Sequence, residues 1–551
     1  MKKVFIFIMC FVLLAGSIPM AFAENAGTAY YIDSVSGDDS ASGKSPEKAW
    51  KTVENLRTLQ LNAGDEILFK TDGIFNVDTL TLTCEGTKEN PIVLASYGEG
   101  GKPLLTTQGK NDILHLFDCS YVTVKDLEMT AHNGGGIWID TTFRTSDGIT
   151  LDNLTIHNIQ NDIVMHSRDN LAAGPSAARA CLMVKGLPDR SRFAVNNLTV
   201  TNCEMYDCGN GISLWGSWNE EHSPWCTDPK DVDPLFNENT LVKGCYFHDM
   251  DAEAIIVGIC ENALVTDCRC INCCQGEGKK PDGKEEYFNA AMWFWGSNNS
   301  TIQNCEIAGQ KNFGDGMTCD FDSYTQNCTY QYIYSHDNTR FVCNCPNLDG
   351  QYYNTIRYCL SVNDNVGRNR LGSDSGEYYL RFYNNTIINS SEFFITGVRD
   401  GLIANNIITG NLLTTFYWEQ AVKDPETGKK YVDKFTGSFT NNCLYGTSRP
   451  ACAKNTIIGA PGFVGDDLDD INSFKLSEKS KLVGAGIKLD GEETLDFYGN
   501  PVTSNNIGCF GSEGVAQKKV FKPFEFMLKM CTHVLATIYQ TVSDLINRTF
   551  A

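Results

Sequence analysis

Basic residues are scarce in this chain. Its 45 Lys and Arg stand against 67 Asp and Glu, a net charge of -22 with a pI near 4.8. Phosphate binding requires clustered positive charge, so nucleic acid is excluded as an expected partner. Long apolar runs are also missing beyond the first residues, and no later stretch is long enough to span a bilayer. Metal signatures are thin. Cys270, Cys273 and Cys274 form a Cys-x2-Cys-Cys cluster, but no His/Cys pair lies at the spacing that would complete a zinc site. Asp466, Asp467, Asp469 and Asp470 lack the Asp-x-Asp-x-Asp-Gly and distal Glu spacing of a calcium loop, which leaves a solvated turn.

Residues 1–23 do carry a short apolar run. Lys2 and Lys3, the stretch Val4 to Leu14 and then Ala21-Phe22-Ala23 read as a secretory leader with a small-x-small cleavage site, so the mature chain is expected to begin near Glu24, outside the cytoplasm. Of the 23 cysteines, Cys203, Cys245, Cys268, Cys305, Cys328 and Cys359 recur at one repeat position. Such a series predicts an internal ladder of free, buried thiols rather than a disulfide framework.

The dominant positive signal is a repeat. Gly136-Ile137-Trp138-Ile139, Gly211-Ile212-Ser213-Leu214-Trp215, Ala254-Ile255-Ile256-Val257, Ala291-Met292-Trp293-Phe294-Trp295, Gly316 to Asp322 and Arg340 to Asn344 can be laid over one another. Alternation within each copy gives one core face and one solvent face, and strands too short to form a core alone must stack as rungs of a solenoid. Asn153, Asn197, Asn304, Asn327, Asn385 and Asn406 are suited to the tight bends, because Asn tolerates left-handed φ. Residues 217–237, 276–287 and 421–435 interrupt the rhythm as protruding loops, which in a solenoid tend to be functional walls.

Tyr30-Tyr31-Ile32-Asp33, Gly37-Asp38-Asp39, Ala49-Trp50-Lys51-Thr52 and Ile67-Leu68-Phe69-Lys70 resemble the opening region of secreted right-handed parallel β-helix proteins, a resemblance that extends to about Gly514. It implies an all-β, right-handed parallel β-helix of the pectate lyase and polygalacturonase-like superfamily. A short helix then plugs the first coil, and Trp50, Val53, Leu56 and Leu59 have the spacing for it. Pro461 to Val464, Leu482 to Gly486, Asp496 to Asn500 and Phe510-Gly511 resemble the closing region of the same proteins. The expected division is a leader at 1–23, a cap with first coils at 24–111, the coils and closing region at 112–514, and a C-terminal tail at 515–551. In that tail Lys518, Lys519 and Lys522 precede an apolar stripe from Met527 to Ile546. It reads as an amphipathic helix, either anchoring the chain at a membrane or cell surface or packing on protein.

Outward residues of successive rungs lie about 4.8 Å apart. Alternation places Trp138 and Asp140, His166, Ser213 and Trp215, Trp293 and Trp295, Asp320 and Asp322, and Asn344 on the outer face. Rings flanking paired acids suit a sugar groove, since flat aromatic faces match the apolar faces of sugar rings; the competing reading is that loops cover the rings. Asp320 and Asp322 share a face with Cα atoms about 6.8 Å apart. Their pKa values should be pushed apart to give one acid and one base or nucleophile, the pair that glycoside hydrolysis needs without any cofactor. Two solvated strand acids, or a Ca2+ site of Asp315, Asp320 and Asp322, are the alternatives. Arg340, Asn344 and His336 are further substrate-binding candidates, although His336 also suits a role within its own turn.

The stretch from Trp293 through Tyr334 to Asn344 resembles uncharacterised β-helix proteins of secreted bacterial carbohydrate systems. The chain lacks the Asn-Thr-Asp, Gly-His-Gly and Arg-Ile-Lys signatures of polygalacturonase-like glycosidases. A calcium-dependent lyase would draw its base from Lys311, Arg340, Arg368 or Arg370. The sequence therefore predicts a secreted, monomeric, polysaccharide-active protein, a glycoside hydrolase first, a pectate-type lyase second and a non-catalytic carbohydrate-binding protein third.

Overall fold

A computed structural model describes residues 27–511 except 109–110, 132–133, 160–179, 186–192, 218–233, 276–288, 312–315, 345–350, 373–376, 415, 424–428 and 490–494. The leader, His166, Asp315 and the tail 515–551 therefore lie outside the described residues. The chain is a parallel β-helix. Two sheets of 15 and 14 strands run its length, and a third begins with seven strands from Leu80–Leu82 to Met292–Trp295. All three are parallel, as in-line stacking of rungs requires, so every strand is paired along the axis and both faces are put to use. Short strand pairs extend the third sheet: Met317–Cys319 with Arg340–Val342, then Asn369–Arg370, Phe393–Phe394 and Phe416–Tyr417. The sequence repeat missed one rung of this sheet, Ala180–Val184, which pairs between Ile137–Asp140 and Asn210–Trp215.

One continuous core fills the interior. The N-terminal plug differs from expectation. Residues Pro46–Lys48 and Glu54–Thr58 form two short 3-10 turns and not an α-helix, because the backbone becomes extended at Ala49 and again at Leu59 and so ends each turn. Trp50, Val53 and Leu56 are nevertheless buried against the first coil, with Trp50 stacked on Tyr30 at 5.4 Å.

The thiol ladder forms, with one substitution. Cys203, Cys245, Cys268, Cys305 and Cys359 occupy the corner before successive strands of the 14-stranded sheet, where Ile333 takes the rung assigned to Cys328. Cys328 lines the corner before the 15-stranded sheet instead. The described cysteines are free, and burial pushes the Cys268 and Cys270 thiols well above their ordinary range, which keeps them uncharged and unreactive. Beyond Cys359 the same corner carries an asparagine ladder. Asn385 Nδ2 donates to Asn406 Oδ1 at 3.1 Å, and Asn406 Nδ2 to Asn442 Oδ1 at 3.0 Å. Asn385 and Asn406 are thus interior, and their neighbours Asn384 (φ 52°) and Asn405 (φ 56°) take the left-handed turn positions. Asn153, Asn197, Asn304 and Asn327 have positive φ as expected.

The closing region folds back along the side. Phe474, Phe497, Tyr498 and Cys509 bury Leu360, Val362 and Ile388 on the outer face of the 14-stranded sheet. Of the three interruptions, the first is pinched at its neck by an antiparallel bridge between Ser217 and Leu235, and the last is a hairpin pairing Glu419–Lys423 with Lys430–Lys434.

Candidate active site

The outer face of the third sheet gathers the residues singled out from the repeat. Strand register arranges them in three rows along the axis. The first is Ala180, Asn210, Glu253, Ala290, Met317 and Arg340; the second is Trp138, Met183, Ser213, Ile256, Trp293, Asp320, Cys343, Arg370, Phe394 and Tyr417. The third is Asp140, Lys185, Trp215, Gly258, Trp295 and Asp322.

The centre of this face is fixed by one contact. Phe294 and Phe321 pair in a parallel bridge and stack inside the core at 6.0 Å, so alternation turns their neighbours outward. Asp320 therefore stands beside Trp293, and Asp322 beside Trp295. Tyr330, buried beneath, clamps the backbone here: its hydroxyl donates toward Met292 O (2.8 Å) and Asp320 O (2.9 Å) and accepts from Asp320 N at 3.2 Å. Burial pushes that phenol well above its ordinary range, so it stays a neutral donor. Asp320 is only 4% exposed, whereas Asp322 is half-buried and its Oδ1 accepts from Ser323 N at 2.7 Å. Two acids on one face thus have unequal environments, the condition under which their roles separate.

The tryptophans differ from open platforms. Trp215, Trp293 and Trp295 are buried in a second apolar cluster with Met183, Ile256, Ile259, Met317, Tyr324 and Cys343, and Trp215 meets Trp295 edge-on at 5.5 Å. Gly258 makes that meeting possible: a Cβ there would stand 2.4 Å from Trp215 Cε3, so the rung between the two indoles must be side-chain-free. Trp138, the partly buried member, stacks on His115 at 4.1 Å and donates from Nε1 to Lys185 O at 3.2 Å. Burial pulls His115 down to about 4, so it is a neutral stacking partner. Asp140 Oδ1 accepts from Thr141 N at 2.8 Å and is half-buried.

Two candidates do not belong to this face. Asn344 points inward and donates from Nδ2 to Glu377 Oε2, because it follows Cys343, which faces out. His336 ends a strand of the 14-stranded sheet, on another side of the solenoid. There it stacks on Tyr334 at 4.4 Å and bonds Asp337 (2.9 Å) and Glu306 (3.4 Å). Burial alone would pull this imidazole down, but the two carboxylates outweigh it and hold it above its ordinary value. Of the basic candidates, Arg340 and Arg370 reach the third sheet, Lys311 is exposed, and Arg368 is paired with Glu392 at 2.9 Å.

Asn210 and Glu253 were not recognised as site residues in the sequence. Asn210 precedes Gly211 as Asp315 precedes Gly316, a pattern that reads as a turn, and nothing in the sequence marks Glu253; both are 1% exposed on the first row. The polar residue directly before the Gly211 and Ala254 copies of the repeat was the available signal.

This is a parallel β-helix protein with an acidic, tryptophan-backed centre on its third sheet. No protein-family model matches the chain. A lacto-N-biosidase of Bifidobacterium longum subsp. longum is 23% identical over 506 residues, covering 76% of this chain and 31% of that protein. The chain thus spans about a third of the length of that curated relative. The crystal structure of a GH136 lacto-N-biosidase from Eubacterium ramulus superposes with a TM-score of 0.51 and 19% identity, over 78% of this chain and 68% of the other. That likeness is one of fold.

Proposed function

We propose that the chain is a glycoside hydrolase that cleaves a polysaccharide or oligosaccharide at the outer face of its third sheet, with Asp320 and Asp322 sharing the acid and the base or nucleophile roles. The observation that supports this reading is the Phe294–Phe321 bridge, whose register pairs Asp320 with Trp293 and Asp322 with Trp295, two rings of the tryptophan cluster. The buried Asp320 is suited to holding a proton for the leaving oxygen, and the half-exposed Asp322 to acting as the ionised partner. The 23% identity to a lacto-N-biosidase over three quarters of the chain supports hydrolysis of a glycosidic bond. Such chemistry requires no cofactor. The leader at 1–23 supports export and action outside the cell, and the basic, apolar tail at 515–551 supports contact with a membrane or cell surface.

The test is incubation with neutral, N-acetylated and uronate oligosaccharides and polysaccharides, following reducing ends and the absorbance of unsaturated product together. New reducing ends without that absorbance, reduced about 10²–10⁴-fold by D320N or D322N, are expected. Unsaturated product, or full activity in both variants, would overturn the assignment.

A further inference from the structure

Asn210 is buried at 1% exposure, and neither its Nδ2 nor its Oδ1 has a hydrogen-bond partner. An amide sealed from water with both ends unused costs stability, by about 1–3 kcal/mol per group. Its backbone is ordinary strand, paired with Ala180, so no turn or cap requires an asparagine here. Its place is also specific. The Ile212–Ile255 pairing sets Glu253 directly beside it on the first row, and Gly211 N donates to Glu253 O at 2.9 Å. Gly211 itself is dictated by close approach, since a Cβ there would lie 2.4 Å from Ala254 O. Ser213 and Ile256 of the second row flank the two polar residues, and Trp293 follows one rung on.

We propose that Asn210, with Glu253 beside it, forms a glycosyl-binding subsite that takes vicinal hydroxyl groups of a sugar residue other than the one whose bond is cut. Each sugar hydroxyl both donates and accepts. The Asn210 amide offers one donor group and one acceptor, and the Glu253 carboxylate accepts, which is the set two adjacent hydroxyls use. Asn210 lies three rungs from Asp320 along the axis, about 14 Å at the strand spacing, beyond the reach of a single sugar ring. The subsite therefore reads the bound chain at a distance from the reaction and orients it along the third sheet. This inference rests on the hydrolase reading above.

The experiment uses the full chain as wild type, N210A and N210D, with the same oligosaccharide panel, and measures both kcat/KM and melting temperature. A structural asparagine and a ligand-reading one give opposite patterns. N210A is expected to melt at the same or a higher temperature while losing about tenfold or more in kcat/KM on the oligosaccharides that the wild type cleaves, with the loss in KM. N210D, which keeps an acceptor and loses the donor, is expected to lose affinity as well. A lower melting temperature with unchanged kcat/KM would overturn the subsite and make Asn210 a structural residue. Wild-type cleavage retained equally by both variants would overturn the subsite alone. Silence of the wild type on the whole panel would overturn the hydrolase reading and the subsite with it.

Discussion

Glu377 is the sharpest test of the interior. Its carboxyl faces the core, its Oε2 accepting from Asn344 Nδ2 and, at 3.2 Å, from Gly372 N, and it is fully buried. Burial pushes it from an ordinary 4.5 up to about 7, against the opposing bonds of Asn344 and Gly372 and the nearby Asn354 amide. Between those two values the folded chain holds a proton that the unfolded chain has released, so stability falls as pH rises through the window. At about 1.4 kcal/mol per pH unit, the full loss is about 3 kcal/mol. Gln is the neutral isostere, able to accept the same two bonds without titrating. Replacing Glu377→Gln is therefore expected to leave the difference in unfolding free energy from wild type at its most negative near about pH 4 and to raise it by about 3 kcal/mol at about pH 8.5. The assay is urea unfolding of both proteins at the two pH values. His157, His248 and His336 are each pulled down by burial but raised overall by bonds to Glu128 and Asn158, Glu204 and Asp249, and Glu306 and Asp337. Their stabilisation is present below about pH 6.5 and lost as pH rises through their raised values, the same sign as Glu377. Both proteins carry them, so they cancel. A difference that stays flat from acid to alkaline pH would refute the account of a proton held by Glu377.

Two further substitutions probe the rows and the ladder. Gly258→Ala places a Cβ 2.4 Å from the Trp215 ring. It should cost about 1–3 kcal/mol and shift tryptophan emission as the Trp215–Trp295 pair separates. Asn406→Leu removes the acceptor of Asn385 N and Nδ2 and the donor to Phe382 O. A loss of about 2–4 kcal/mol is expected in chemical denaturation, where a neutral result would deny that the ladder holds the corner together.

The repeat alone determined that the chain is a solenoid of parallel rungs, because strands this short bury an apolar face only by stacking, and period-two alternation needs no partner to be read. It also picked out Asp320, Asp322, Trp138, Trp215, Trp293 and Trp295 as neighbours on one face, which the register bears out. Alternation failed where it met a corner. Asn344 follows the outward Cys343 and so turns into the core, and Cys328 sits one corner away from the thiol ladder that its tripeptide matched. A one-residue change in where a strand begins reverses a side chain, and strand ends are set by pairing with the rung above and below. His336 shows the same limit, being near Arg340 in sequence but on a different sheet. Only the tertiary structure could decide that the tryptophans are covered, that Gly258 clears the space between two of them, and that Asn210 is sealed beside Glu253. Each depends on what lies across a rung from it, a distance of about 4.8 Å in space and tens of residues along the chain.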